Sequence, residues 1–343
     1  MKLKKLFFLI AIFFVIVAAL IVKKANVEKH EAKEKQVPLY YTLNKDLATA
    51  FVAKMTVTKG DDQAGKVVFS KNSSGEWMVE TPFLFRADKR TVESLLKKNV
   101  EIKGEVRAES KEVLGDFKIN DKEGLEITLS DSSGKELSHL VVSLLRLRGT
   151  MNFVRQKNSN QVIATDTDFL SILGLFSKEA KLDAKNFRDL QIGRFETSKV
   201  TRLELSPANS TPFTLVKKED PKDKSVSWGF DPEEAGSEID KAKVESFLGS
   251  LSGWTGSDAL DAAKESEYGF VPDDKPWVRV SIKNDNKTDV REFFLSPKQT
   301  PDKKTAIKVL PDKFFYLSIE SAMDYMKKDK AHFLKEKTEP KKS

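Results

Sequence analysis

One stretch of the chain has the spacing of a known catalytic loop. Residues 60–66 follow the G-x-x-x-x-G-K pattern of a phosphate-binding loop. Val67 stands where such a loop needs a serine or threonine hydroxyl for magnesium, and Asp61 and Asp62 would repel phosphate. A strand-like segment follows, so the helix N-terminus that helps to bind phosphate is missing. The sequence therefore predicts a hairpin turn here and no nucleotide site.

Other possible sites of chemistry are equally incomplete. Residues 249–253 are rich in glycine and serine, but Leu251 occupies the place of the serine in a nucleophile elbow, so we expect a helix end. Residues 166–168 contain two aspartates without the glycine and distal glutamate of a calcium loop. Residues 273–274 are two aspartates in a predicted turn. We predict no catalytic, cofactor-binding or metal site and expect no enzyme, although carboxylates distant in sequence can still meet.

Cysteine and histidine usage narrows the chemistry further. The chain has no cysteine, which excludes disulfides, thiolate metal sites and cysteine nucleophiles. Its three histidines, His30, His139 and His332, are far apart in sequence. A histidine-based metal site is difficult to assemble from them, so we expect ordinary surface or packing roles.

A nine-residue phrase occurs twice and indicates a duplicated domain. Residues 88–96 (DKRTVESLL) return as residues 240–248 (DKAKVESFL), a displacement of 152 residues. The shared tryptophans are expected to be core anchors, and the shared aspartates to be helix caps. The residues that form this repeat signature are Trp77, Pro82, Asp88, Val92, Leu96 and Phe117 in the first copy and Trp228, Pro232, Asp240, Val244, Leu248 and Phe270 in the second.

Each copy combines short strand-like segments with a few helices. Residues 124–129 and 278–282 alternate between apolar and polar side chains, as strands do. Residues 166–176 are predicted to close the first copy as a helix, and residues 314–317 and 319–326 to close the second. The predicted fold class is therefore α+β, with an N-terminal transmembrane helix followed by two homologous repeats of antiparallel sheet with packed helices.

The expected transmembrane helix is residues 6–22, which carry no polar side chain. At ~1.5 Å per residue they span roughly 26 Å, close to the ~30 Å of a hydrocarbon core. Because the segment is long enough to span the membrane, we expect an uncleaved anchor. Three lysines precede it, which favours an N-terminus in the cytoplasm. A cleaved signal peptide is the alternative, with a weak cleavage site at residues 17–19. The expected location is the inner (cytoplasmic) membrane, single-pass, with the body outside the cytoplasm.

The net charge of +7 comes from the two ends of the chain. Residues 1–37 hold eight lysines against three acids, and residues 327–343 hold seven against three. Residues 38–326 hold 44 basic and 46 acidic side chains, whereas a nucleic-acid binder concentrates positive charge on its folded body. Nucleic acid is therefore not an expected partner. The predicted divisions are 1–22 (cytoplasmic head and anchor), 23–50 (charged stalk and linker), 51–190 (first repeat), 191–335 (second repeat) and 336–343 (disordered basic tail).

The motifs around the shared tryptophans and aspartates resemble those of a known family. They are W-M-V-E-T-P at residues 77–82, the phrase at 88–96 and its copy at 240–248, and Y-G-F-V-P at residues 268–272. Together they resemble a tandem-repeat bacterial family of unknown function that is often encoded beside ABC-type permease and ATPase subunits of the gliding-motility type. The resemblance covers most of residues 50–335. It implies membership of an envelope transport complex, and it transfers no catalytic residue.

These observations support one leading function and two alternatives. We expect a membrane-anchored, extracytoplasmic accessory subunit of an ABC-type export or envelope complex, which acts by protein docking and needs no cofactor. Its expected partners are the inner membrane, through residues 6–22, and ABC-type permease and ATPase subunits. One alternative is a binding module for a glycan, lipid or peptide at the cleft between the repeats. The other is a hydrolase whose carboxylates are scattered in the sequence.

Overall fold

The described chain consists mainly of β-strands. The computed structural model describes residues 21, 23–24, 40–60, 62–100, 102–145, 151–176, 180–207, 210–271, 274–284, 287–319, 323–324 and 327–336. Its strands are β1 (Tyr40–Leu43), β2 (Lys54–Lys59), β3 (Asp62–Lys71), β4 (Trp77–Val79), β5 (Phe85–Arg86), β6 (Ile102–Ala108), β7 (Leu125–Ser130), β8 (Glu136–Val142), β9 (Asn152–Gln156), β10 (Val162–Thr165), β11 (Val200–Leu205), β12 (Phe213–Glu219), β13 (Val226–Phe230), β14 (Asp258–Leu260), β15 (Val278–Asn284), β16 (Lys287–Gln299), β17 (Thr305–Leu310) and β18 (Phe314–Ser318). Its α-helices are α1 (Lys89–Val100), α2 (Phe169–Ile172) and α3 (Lys241–Ser252). Short 3-10 helices cover Thr49–Phe51, Lys111–Val113, Ala184–Phe187, Thr197–Lys199, Ala262–Tyr268 and Lys330–Phe333.

These strands belong to two large antiparallel sheets, one of ten strands and one of eight. The chain divides into two compact units, each built from separate stretches of sequence. Unit 1 contains residues 1–64 and 94–180, and unit 2 contains residues 65–93 and 181–343. Unit 2 therefore includes the segment around the first shared aspartate as well as the whole region around the second.

Unit 1 is built on strands in the order β1-β6-β10-β9-β8-β7-β2. The alternating sequence of β7 explains why it forms a strand with one face in the core. Leu125, Ile127 and Leu129 are fully buried, and the polar residues between them are partly exposed. A tight turn then returns the chain along β8, because the Asp131 carboxylate accepts hydrogen bonds from the amides of Ser133 (2.8 Å) and Lys135 (3.0 Å). The two strands pair as an antiparallel hairpin.

Unit 2 contains the paired strands β3-β4-β5 and a sheet in the order β13-β12-β11-β15-β16-β17-β18-β14. Helix α3 buries its apolar face in the core of this unit. The ring of Phe247 is fully buried, 5.5 Å from that of Phe333 and 6.5 Å from that of Trp277. Truncating such a side chain to alanine costs about 3–5 kcal/mol, so Phe247→Ala is the change that would most damage this layer.

Two places in unit 2 share one backbone arrangement, in which the residues just before a helix bind a later segment. The first clip consists of residues 86–88 and 187–189, and the amide of Asp88 donates to the carbonyl of Phe187 (2.7 Å). The second clip consists of residues 238–240 and 333–335. It repeats this bond between residues 240 and 333 at 2.8 Å. An isolated antiparallel bridge completes each clip.

The aspartate of each clip also caps a helix, as the sequence predicts. The Asp88 carboxylate accepts a hydrogen bond from the amide of Thr91 (2.8 Å) at the start of α1. The Asp240 carboxylate accepts from the amides of Ala242 (2.9 Å) and Lys243 (3.3 Å) at the start of α3. Each cap satisfies amides that have no partner inside the helix and is worth about 1 kcal/mol.

The predicted α+β fold class is wrong, because the described chain is mostly β and its helices are few. The closing helix predicted at residues 166–176 shows the reason. Asp168 does cap a helix, but α2 lasts only one turn, because Gly174 adopts a positive φ of 71° just beyond its end. Of the predicted closing segment 319–326, residues 320–322 and 325–326 lie outside the described residues.

The transmembrane part of that prediction also needs correction. In the part of the chain that the structure describes, no helix is both long and apolar enough to cross a membrane. The predicted span 6–22 lies outside the described residues apart from Ile21, and so do residues 337–343 of the predicted basic tail. The predicted repeat boundaries, 51–190 and 191–335, stay predictions.

Candidate functional site

The repeat signature occupies structural positions. Trp77 and Trp228 are buried in β4 and β13, and the prolines that follow both, Pro82 and Pro232, are preceded by cis peptide bonds. Trp228 belongs to the core cluster of unit 2 that also contains the apolar face of α3. Val244 and Leu248 are buried on that face of α3, and Val92 and Leu96 are buried in α1.

The two signature phenylalanines are packing residues as well. Phe117 lies edge-on to Phe153, with ring centroids 4.6 Å apart, in a small core of unit 1. Phe270 contacts Phe315 in the same manner at 5.7 Å in unit 2. The signature therefore marks the core and the helix caps, and the candidate site is elsewhere.

That site is a groove in unit 2 with a volume of about 660 Å³. Its walls are the segment 191–199, the β15–β16 hairpin and the turn after β17. Three of its side chains are cationic: Arg194, Lys199 and Arg291. We call this feature the arginine groove.

Arg194 is held in the groove by a close backbone approach. A side chain on Gly193 would overlap the carbonyl oxygens of Leu251 and Ser252 at the end of α3 (2.1 and 2.2 Å), so glycine is required there. Arg194 itself has a positive φ of 52°, and its amide donates to the Ser252 carbonyl (3.2 Å). Its guanidinium Nη1 donates to Asp189 of the first clip at 2.8 Å. A constrained backbone and an ion pair together fix the position of this side chain.

Arg291 is held from the opposite wall through a carboxylate that it shares. Its Nη1 donates to Asp312 Oδ2 at 3.0 Å, and Arg86 Nη2 donates to the same oxygen at 2.9 Å. Arg86 belongs to the first clip and is 6% exposed. Its guanidinium also lies 4.7 Å from the ring centroid of Phe314, a cation–π contact.

Two guanidinium groups share one carboxylate, so this trio carries an excess of positive charge. Within the described residues, the Nε and Nη1 atoms of Arg86 have no hydrogen-bond partner although they are buried. Burial by itself raises the pKa of Asp312, but the charges and hydrogen bonds of Arg291 and Arg86 hold that pKa below its ordinary value. Asp312 is therefore ionised at neutral pH, and a second negative charge would complete the site.

The charges around the groove are fixed at neutral pH. Tyr316 lies under the trio, and burial raises its pKa to about 12, so it stays neutral. Asp312 stays ionised and the arginines stay cationic. A general acid or base works best with a pKa near the working pH, so this arrangement suits binding of an anion better than proton transfer.

The first clip also buries a second arginine, Arg188, which does not line the arginine groove. Its guanidinium lies 3.9 Å from the ring centroid of Phe83, and its Nη2 donates to the Thr81 carbonyl at 3.3 Å. Burial lowers the pKa of Arg188, an effect that the charge of Asp258 partly offsets. Arg188 Nε also has no hydrogen-bond partner among the described residues.

The second clip has the same backbone and ordinary side chains. The amide of Lys335 donates to the Glu238 carbonyl (2.9 Å), as Asp189 donates to Arg86 (3.0 Å) in the first clip. Lys335 and Glu238 form an exposed ion pair (2.9 Å), and Leu334 stands where the first clip has Arg188. The backbone arrangement therefore forms without buried arginines.

The motifs that resembled catalytic sites have structural roles. Between β2 and β3, Gly60 has a positive φ of 55° and its amide donates to the Gly124 carbonyl at 2.8 Å, which confirms the predicted hairpin turn. Residues 249–253 end α3, also as predicted. Asp168 caps α2, and Asp274 accepts from the amide of Val271 (2.7 Å) in a turn.

Metal-ligating side chains do not converge in the described part of the chain, where no group of three or more histidines, aspartates or glutamates could hold an ion. His139 lies between the carboxylates of Glu126 (3.1 Å) and Glu136 (3.2 Å) on the sheet of unit 1. His332 lies edge-on to the ring of Phe333 in unit 2, with ring centroids 5.1 Å apart. The two described histidines thus have the packing and surface roles that the sequence suggests.

The arginines of the candidate site were missed from the sequence, because no motif marks them. The repeated phrase offers one partial signal, because its displacement of 152 residues pairs Arg86 with Glu238. Leu334 lies 146 residues after Arg188, so only the matching hydrogen bonds and bridges of the two clips relate these two positions.

The comparisons with known proteins bear on the family alone. No curated protein and no solved structure matches the chain. A family model described as a domain of unknown function, DUF4340, matches residues 77–272, which is more than half of the chain. The match begins at the first signature tryptophan and ends at the proline of the Y-G-F-V-P motif. The expected resemblance to an uncharacterised family is thereby confirmed, and the chain belongs to the DUF4340 family.

Proposed function

We propose that this protein is a non-enzymatic docking subunit of an ABC-type export or envelope complex, with its folded units outside the cytoplasm at the inner membrane. The observation that carries the proposal is the arginine groove. Arg194 and Arg291 line it on opposite walls, and a carboxylate outside the groove holds each of them. Preorganised charges that cannot titrate near neutral pH are suited to recognition.

The choice of an ABC-type complex rests on the family resemblance. The motifs around the shared tryptophans and aspartates resemble a family that is often encoded beside ABC-type permeases and ATPases. We also propose that the two halves of the body arose by duplication. The matching clips and helix caps support this, because the same two backbone hydrogen bonds recur at equivalent positions of the two copies. A duplicated scaffold in which one copy has acquired buried charges fits a docking role.

Purification from the native membrane tests this function. The full-length protein is cross-linked in its own membranes, purified in mild detergent and analysed by mass spectrometry. We expect an ABC permease and an ATPase to co-purify with the wild-type protein and with Lys335→Gln, a control in the second clip. Recovery of the protein without either subunit after cross-linking would contradict the proposal.

A binding module for a glycan, lipid or peptide is the second candidate. The groove favours it, because a volume of about 660 Å³ lies within the range of roughly 300–1,000 Å³ common for ligand pockets. A ligand that binds only the folded state raises the melting temperature. Thermal shift with envelope lipids, glycans and peptides would support this reading if one class raised the melting temperature of the wild type but not of Arg291→Gln.

A further inference from the structure

We propose that the arginine groove binds an acidic polypeptide segment of the partner, with one carboxylate on Arg194 and another on Arg291. The inference rests on the proposed docking function and adds the chemistry of the partner. Its evidence is the hydrogen-bonding capacity, the charge and the mixed lining of the groove.

Both arginines have donors to offer. Among the contacts of the described residues, each uses its Nη1 atom on one carboxylate, and the Nε and Nη2 atoms of both have no hydrogen-bond partner. The side chains of Arg194 and Arg291 are 31% and 22% exposed, so a ligand can reach them. The guanidinium group presents a planar pair of donors that matches the two oxygens of a carboxylate.

The surroundings of Arg291 increase its affinity for an anion. Arg86 and Arg291 share the single carboxylate of Asp312, and Arg86 is buried with two unpartnered donors. This excess positive charge lies in a region with little water, where an added negative charge is attracted more strongly than in solvent. Because Asp189 and Asp312 already hold the two groove arginines, little side-chain entropy remains to be lost on binding.

The mixed lining of the groove favours a polypeptide over a small phosphate. Glu196 and Asp289 also line it and repel any anion placed beside them, so the negative charges of a ligand must be spaced to reach the two arginines separately. Val290 is 40% exposed in the groove, which Phe195, Arg194 and Arg291 also line. A chain with carboxylates separated by apolar residues can place each acid on an arginine and its apolar side chains on Val290 and Phe195. A phosphate group has no counterpart for these apolar contacts.

Fluorescence anisotropy with a labelled peptide of alternating glutamate and leucine tests the inference on the full-length protein. We expect saturable binding that weakens as salt is added, because the contacts are ionic. Arg194→Gln and Arg291→Gln should each weaken binding about tenfold or more, as expected for loss of a charge-assisted hydrogen-bonded pair. Lys335→Gln, which removes a cation from the second clip, should bind like the wild type.

Three outcomes would overturn the inference. They are no binding of the acidic peptide, equal binding of a matched peptide with glutamine in place of glutamate, and full competition by inorganic phosphate or phosphatidylglycerol vesicles. Melting curves of both variants show whether they are folded, and Arg291→Lys keeps the charge while removing the planar donor pair. If the permease co-purifies normally with Arg194→Gln and Arg291→Gln, the groove inference fails while the docking function stands.

Discussion

The two clips of unit 2 share one backbone and differ in what they bury. In the first clip, Arg86 and Arg188 are 6% and 5% exposed and retain unpartnered donors among the described residues. In the second, Glu238 and Lys335 stand where the first clip has Arg86 and Asp189, and they form an ion pair that is exposed to solvent. Since the second clip forms the same hydrogen bonds without buried charge, this backbone arrangement does not require the arginines. A costly feature that one clip has and the other lacks is best explained by function.

The comparison of the two clips predicts the largest difference in unfolding free energy when an ion-paired carboxylate is replaced. Asp312→Asn would leave the buried Arg86 without its ion-pair partner and should lower the free energy of unfolding by about 3 kcal/mol. Glu238→Gln, which removes the ion pair of the second clip, breaks only an exposed pair and should leave the free energy of unfolding almost unchanged. Urea denaturation of both variants measures the difference. Equal effects would mean that the two clips are energetically alike.

The same carboxylate predicts a pH dependence. The folded-state pKa of Asp312 is lowered from 3.8, so its stabilising effect is complete above that value and is lost as the pH falls through the lowered pKa. The gap in unfolding free energy between wild type and Asp312→Asn should therefore be constant near neutral pH and close in acid. Urea midpoints from about pH 7 down to about pH 2.5 check this. A gap that stays constant into acid would show that the ionisation of Asp312 is not what stabilises the fold.

Removal of the helix-capping aspartate should destabilise the protein to a similar extent in both clips. Asp88→Ala and Asp240→Ala each remove a carboxylate that accepts from the first amides of a helix. Each should lower the free energy of unfolding by about 1 kcal/mol, since each carboxylate accepts from an amide of the first turn of its helix. Denaturant midpoints measure both, with Glu93→Gln on the exposed face of α1 as a control. A large loss at only one cap would show that the shared backbone is not energetically equivalent in the two copies.

Replacing Arg86 by methionine separates stability from binding. Arg291 still pairs with Asp312 in this variant, and methionine fills the apolar part of the space, so the free energy of unfolding should change by less than about 1 kcal/mol. Binding of the acidic peptide should nevertheless weaken, because excess positive charge has been removed. Denaturation and anisotropy on one preparation measure the two effects. A large loss of stability with unchanged binding would assign Arg86 to the fold.

The sequence predicted the local features that single residues determine. Both helix caps, the hairpin turn at Gly60 and the buried tryptophans followed from capping residues, turn residues and apolar periodicity. The fold class failed because helix length was judged from the capping aspartate at residue 168, whereas Gly174 ends α2 after one turn. The groove could not be predicted, because Arg194, Arg291 and Asp312 are distant in sequence and meet only through the sheet and the turn after β17.

The central claim is that the arginine groove is the docking site, and site-specific photocrosslinking in native membranes tests it most directly. A photoreactive residue replaces Val290 inside the groove or, as a control, Val271, an exposed position of unit 2 outside it. We predict a crosslink from position 290 to an acidic extracytoplasmic segment of a permease subunit, lost when Arg291→Gln is added, and no such product from position 271. Crosslinking of that subunit from position 271 alone, or from position 290 regardless of Arg291→Gln, would contradict the claim.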